Sequence, residues 1–143
     1  SVIKEICHRV AVMEDGKVVE LNDVVSVFSN PQAGITKEFI NSTSSLSRID
    51  ELIEDKASIV DLDKGQQIWR LDFYGSETEE AIIAEVSKRY NLAPSIIFAN
   101  VEVIENTVLG NLIVVLSVPE EIEAEVHAYF ESKHIKVEVI KRG

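Results

Sequence analysis

Ile68-Trp69-Arg70-Leu71-Asp72-Phe73-Tyr74 is the stretch on which the fold turns. Trp69, Leu71 and Phe73 fall on one side of an extended chain and Arg70 and Asp72 on the other, the two-residue period of a half-buried strand. Downstream, Ile82, Ile83, Val86 and Tyr90 recur at helical spacing as far as Asn91, with Ser76 or Thr78 available as a cap and Glu77, Glu79 and Glu80 suited to the helix start. Pro94 precludes its continuation. Ile96 to Ile104 and Leu112 to Val118 are β-branched runs joined by residues 105–111, an antiparallel hairpin whose strands can extend into the connection. Pro119, followed by Glu120, Glu121 and Glu123, opens a second helix with Ile122, Val126, Tyr129 and Phe130 on one face. Ile135, Val137 and Val139 alternate with Lys136 and Glu138 as a last strand.

The order β-α-β-β-α-β predicts an α+β, ferredoxin-like domain over residues 66–143, a four-stranded antiparallel sheet with two helices on one face. Strand alternation assigns Trp69, Leu71, Phe73, Ile97, Ala99, Val101, Val103, Ile135, Val137 and Val139 to the helix side. The other face then carries Ile68, Arg70, Asp72, Tyr74, Ile96, Phe98, Asn100, Glu102 and Ile104, joined by Ile113, Val115 and Ile140. Scattered exposed apolar residues are ordinary. A patch of this extent points instead to a partner surface, most simply a second copy meeting Ile96, Phe98, Asn100, Ile113 and Val115.

Upstream, Arg9 to Met13 and Lys17 to Glu20 flank Asp15-Gly16, a strong hairpin signal because Gly tolerates positive φ. Asn22 is placed to cap a short helix through Phe28, ended by Pro31. A hairpin with one or two short helices buries too little to stand alone, so residues 1–41 read as a piece of something larger. Residues 42–65 form a connector, with a short amphipathic helix expected near Ser47 to Glu54.

Composition narrows the function. The 143 residues are 45% hydrophobic and 27% charged, an ordinary globular composition, and the net charge is −11. That charge repels polyanions and no basic stripe offsets it, so nucleic acid is not an expected partner. The charge marks no boundary: 7 basic and 12 acidic residues precede Gln66, and 7 and 13 follow from it. The single cysteine, Cys7, has no internal disulfide partner and reads as a buried structural residue. With no signal-peptide pattern, and with Leu112 to Val118 far short of the roughly 20 residues of a membrane helix, a cytoplasmic location is expected.

Sites of chemistry are hard to find. Gly16-Lys17 lacks the remainder of a phosphate-binding loop. His127 and His134 have no cysteine or second carboxylate at ligand spacing, so no metal is expected. Cys7-His8 lies in no nucleophile elbow, and Glu120 to Glu125 reads as a solvated helix start. The chain itself is expected to have no catalytic residues and no cofactor.

Residues 1–41, with Ile6-Cys7-His8-Arg9-Val10-Ala11-Val12-Met13, Gly16-Lys17-Val18-Val19-Glu20 and Val27-Phe28-Ser29-Asn30-Pro31, resemble the C-terminal end of an ABC transporter ATPase domain. Residues 66–143, with Ile96-Ile97-Phe98-Ala99-Asn100-Val101-Glu102 and Leu109-Gly110-Asn111-Leu112-Ile113-Val114-Val115-Leu116, resemble the NIL domain, the ACT-like regulatory module of methionine-importer ATPase subunits. The resemblance implies a longer parent that is an ABC-type ATPase using ATP and Mg, with its nucleotide-binding motifs upstream of this chain. It also implies a permease partner, a peripheral position on the cytoplasmic face of the membrane, and a homodimer formed through the C-terminal domain. The implied regulation is feedback, in which L-methionine binds near the dimer contact and restrains transport. By position, the ligand-contacting segment falls on Pro94, Ser95, Ile96, Ile97 and Phe98, with Asn100 nearby, and Ser95 stands where several members have Asn. A thioether suits the apolar surface of Ile96 and Phe98. The rival expectation is a purely structural dimerisation module that senses nothing.

Overall fold

The structure, a computed structural model, describes residues 2–43, 47–55, 61–75 and 81–143. Its N-terminal part holds α1 (Val2–Ile6), the hairpin β1 (Arg9–Glu14) and β2 (Lys17–Asp23), α2 (Val24–Ser29) and α3 (Gly34–Thr43). Next come α4 (Ser47–Glu54), β3 (Gln66–Tyr74), α5 (Ile82–Tyr90), β4 (Ser95–Ile104), β5 (Thr107–Ser117), α6 (Glu120–Ser132) and β6 (Lys136–Arg142).

Asp15 and Gly16 both take positive φ between the paired Glu14 and Lys17, the two-residue turn that the Asp-Gly signal predicts. The cap of α2 is Asp23, whose carboxylate accepts from the Ser26 backbone N–H at 2.9 Å; Asn22, the expected cap, accepts from Asp23 N instead. Either residue has a suitable oxygen, and the strand, running through Asp23, decides between them. Glu20, only 9% exposed, accepts from Gln32 N at 3.1 Å and Ala33 N at 2.9 Å, tying β2 to the approach to α3. Burial pushes its pKa up, but the Ala33 and Gln32 amides outweigh that and hold the carboxyl below the usual glutamate range.

The second part is a four-stranded antiparallel sheet in the order β4-β5-β3-β6, the ferredoxin-like arrangement expected. Helices α5 and α6 share one face. Trp69, Leu71, Val114 and Leu116 from the sheet meet Ile82, Val86, Val126 and Phe130 from the helices, all buried. The Trp69 indole donates to Gln67 Oε1 at 2.8 Å, and Gln67 Nε2 donates to Glu123, which Arg142 pairs at 2.7 Å. The buried Trp69 N–H and Gln67 amide are thereby paired, while the buried His127 Nε2 beside them meets no hydrogen-bond partner among the described residues. The His127 ring lies against Trp69, 4.3 Å between centroids. Asn91 ends α5 in the left-handed conformation. The expected caps Ser76 and Thr78, with Glu77, Glu79 and Glu80, lie outside the described residues.

The hairpin strands extend into residues 105–111, as the sequence allows, and leave a two-residue turn, Glu105-Asn106, both at positive φ, with Ile104 paired to Thr107. Three expectations need correction. Val101 and Val103, assigned to the helix-side core, are 63% and 66% exposed, because β4 is an edge strand. Cys7, expected buried, is half-buried. The face opposite α5 and α6 is not open either: α4 lies on it, with Ile49 buried against Ile68 and Ile113, and Leu52, Ile53 and Leu62 packed around them.

Gly110 in β5 sits directly across from Phe73, and a Cβ there would overlap the Phe73 ring. Gly110→Ala should therefore cost about 1–3 kcal/mol in urea unfolding as the ring is displaced. Glu20 provides a pH test. Its lowered pKa means that its stabilising contribution is present above the unfolded-state value, about 4.3, and is lost as pH falls through the lower folded-state value. Glu20→Gln should lower stability by about 1–2 kcal/mol at pH 7 and flatten the fall of melting temperature on acidification.

Candidate functional site

The start of β4 is shaped by a β-bulge. Ile96 pairs with Val114 and Phe98 with Ile113, so Ile97 is an extra residue opposite none. The bulge corrects the alternation expected here. Ile97, assigned to the helix side, packs with Phe98 and Val115 into the cluster under α4. Ile96, assigned to the opposite face, pairs with a residue of the helix-side core and is 51% exposed at the sheet rim.

Of the residues singled out in the sequence, the structure gathers Ile97, Phe98, Ile113 and Val115 into one apolar cluster. Ile113 is fully buried beneath α4. Ser95, exposed, pairs with Val115 at the strand's beginning, Pro94 is half-buried beside it, and Asn100 pairs with Asn111 further along. The strip is therefore divided: apolar near α4, polar toward the hairpin tip, with Ile96 apart.

The polar part continues across the sheet. Asn111 Nδ2 donates to Asp72 Oδ1 at 2.7 Å, and Arg70 Nε donates to the same oxygen at 2.9 Å. Together with Asn100 these residues line a hollow of about 120 Å³ between the sheet and the N-terminal part. Across it, Lys4 Nζ pairs with Glu102 at 2.8 Å and stands 4.7 Å from the centre of the Phe28 ring. His8 pairs with Glu105 at the hairpin tip. The β4–β5 hairpin is thus tied to α1 by an ion pair and to His8 just after it by a side-chain contact.

Sequence reasoning placed Arg70 and Asp72 on this face without giving them a role, and it missed Asn111, which it left in the connection. The signal was their shared parity on β3. The contribution of α4 had only its amphipathic spacing to announce it. Among the described residues no three His, Cys, Asp or Glu side chains are grouped to hold a metal ion. No helix among them is long and apolar enough to cross a membrane.

The NIL domain family matches residues 67–139, from β3 into β6. The chain belongs to the NIL domain family. The NIL segment thus takes in α5, α6 and all of the four-stranded sheet except Gln66 and the end of β6. The chain is also 39% identical over 141 residues, 99% of its length, to methionine import ATP-binding protein MetN 1 of Enterococcus faecalis. It is 39% identical over all 143 residues to methionine import ATP-binding protein MetN 2 of Oenococcus oeni. It spans 40% of the length of each of these relatives. The C-terminal domain of an ABC transporter ATP-binding protein from Enterococcus faecalis, known from a crystal structure, aligns with a TM-score of 0.49 and 23% identity over 66% of this chain and 98% of that one.

The seat of α4 on the NIL sheet is testable. Ile49→Ala would leave a cavity over Ile68 and Ile113 and should cost about 2–4 kcal/mol in denaturant unfolding. A loss well below about 1 kcal/mol would mean that α4 does not seat there.

Proposed function

We propose that this chain is the regulatory C-terminal part of a methionine ABC importer ATPase subunit, in which the NIL segment binds L-methionine and thereby restrains transport. The observation that carries the reading is the NIL family match over 67–139 within a chain aligned almost end to end with methionine import ATP-binding proteins. On this reading residues 1–41 are the end of the ATPase domain, 42–65 the connector and 66–143 the sensing domain. The exposed Val2, Ile6, Met13, Val18 and Leu21 support it, as apolar surface to be covered by the rest of an ATPase domain. ATP and Mg are bound by that parent domain, which meets the permease at the cytoplasmic face of the membrane.

The ligand-contacting strip is Pro94, Ser95, Ile96, Ile97 and Phe98, with Asn100 nearby. Its support is chemical: Ile97 and Phe98 offer a thioether an apolar, adaptable surface, while Ser95 and Asn100 offer hydrogen bonds at the margin. A homodimer forms along β4. Among the described residues that strand has one unpaired edge, and it exposes Ile96, Val101 and Val103, whereas Ile113, also expected in the contact, is already occupied by α4. Feedback follows when methionine prefers the arrangement of paired domains that keeps the ATPase halves apart; a coupling of about 1–3 kcal/mol suffices.

The same exposed edge favours a second reading, a dimerisation module without a ligand. Calorimetry separates the two. L-methionine should bind while L-leucine and L-alanine bind far more weakly, and methionine at 100 times its Kd should add about 2.7 kcal/mol of stability. Equal or absent binding of the three, with a dimer by sedimentation, leaves only the structural module.

A further inference from the structure

We propose that residues 2–43 dock on the NIL sheet through an electrostatic latch, Lys4 on Glu102 with His8 beside Glu105, and that the latch opens to a released state. This goes beyond the methionine-sensing reading and does not depend on what the NIL segment binds. The starting point is what holds the seam. Among the described residues, neither buried apolar cluster of the sheet takes in a side chain from residues 2–43. Helix α1, which carries Lys4 to the seam, has no buried residue. The contrast is α4 on the same face, where Ile49 is 3% exposed against Ile68 and Ile113. One neighbour is fastened by core, the other by charge.

Each wall of the seam is paired within itself. On the sheet, Asp72 accepts from Arg70 at 2.9 Å and from Asn111 at 2.7 Å. On the N-terminal side, the Lys4 ammonium stands 4.7 Å from the centre of the Phe28 ring, so its cation is positioned within residues 2–43 and not by Glu102 alone. Between the walls lies the hollow of about 120 Å³, with room for several waters. Parting the walls returns the Lys4 and Glu102 side chains, 23% and 43% exposed when paired, to full solvation. Asp72, Arg70 and Asn111 keep the bonds they make to one another, so no buried polar group among them is stranded.

Interfaces of this kind, polar and without a shared core, let the bodies they join move relative to each other. Here the moving contact is the end of β4. Glu102 lies in that strand and Glu105 in the turn that follows, while Ser95 opens the strand at its other end. Closed, the latch fixes the direction of β4 relative to residues 2–43; open, it frees it. Anything that engages β4 and prefers one arrangement is therefore felt by residues 2–43, and by reciprocity whatever moves those residues is felt at β4. The latch is the two-state element that such coupling requires.

Cys7 is the single cysteine and lies between Lys4 and His8 in the chain, so a spin label there reports on the seam. In the 143-residue chain at about 0.05 M salt it should broaden the amide resonances of residues 102–106, and about 0.5 M salt should reduce that broadening at least about threefold. Lys4→Glu should release the latch at low salt, and Lys4→Glu with Glu102→Lys should restore it. Lys88→Gln on α5 is the charge control and should broaden as the wild type does. On the unlabelled chain, carbodiimide coupling of Lys4 to Glu102, read by mass spectrometry, should fall with salt in parallel. It carries the test should the labelled or reversed chains fail to fold. Absence of both broadening and coupling at low salt shows that the dock does not form, and values unchanged by salt show one rigid body; either overturns the latch. Loss in Lys4→Glu without recovery in the double reversal overturns the role of the pair. No sample contains L-methionine, so none of these outcomes bears on sensing.

Discussion

A sheet covered on both faces constrains everything else in this molecule. Ile68, Trp69 and Leu71, adjacent or nearly so on β3, are all fully buried although their side chains alternate in direction. A central strand can bury both parities only if something lies on each side of it. On one side that is α5 and α6, which the β-α-β-β-α-β order supplies. On the other it is α4, which lies outside that order and comes from the preceding segment.

This explains what could be read in the sequence and what could not. The strand and helix positions of the second part follow from local period, and β3, α6 and β6 fall where alternation and the Pro119 start put them. The turn at Asp15-Gly16 is equally local. The errors came from effects that no period encodes. One inserted residue at Ile97 reverses the parity of Ile96 and Ile97, and nothing in an unbroken run of β-branched side chains marks it. Val101 and Val103 look like core residues on any hydropathy scale; only the strand order, which puts β4 at the rim, exposes them. The apolar second face is visible in the sequence, but nothing local in the amphipathic run of α4 says that this face is where it packs.

The candidate site was legible to the same degree. Phe98 and Asn100 were placed on the correct face by parity alone, and so were Arg70 and Asp72. What parity could not supply was their neighbours across the strands. Pairing brings Asn111 to Asp72 and Glu138 beside Arg70, over 39 and 68 residues of chain, and those separations leave no trace in a single sequence. The ties from Lys4 to Glu102 and from His8 to Glu105 are of the same kind. Their individual energies as partly exposed pairs are small. Their effect is to fix where the β4–β5 hairpin stands relative to the N-terminal part.

Residues 47–55 therefore behave less as a tether than as a detached wall of the module they precede. A recombinant fragment begun at Gln66, where the family match would invite the cut, would lose Ile49, Leu52 and Ile53 and leave Ile68 and Ile113 bare to water. Such a truncation would retain every strand of the four-stranded sheet and still be sticky. A fragment begun upstream of α4 keeps that cover.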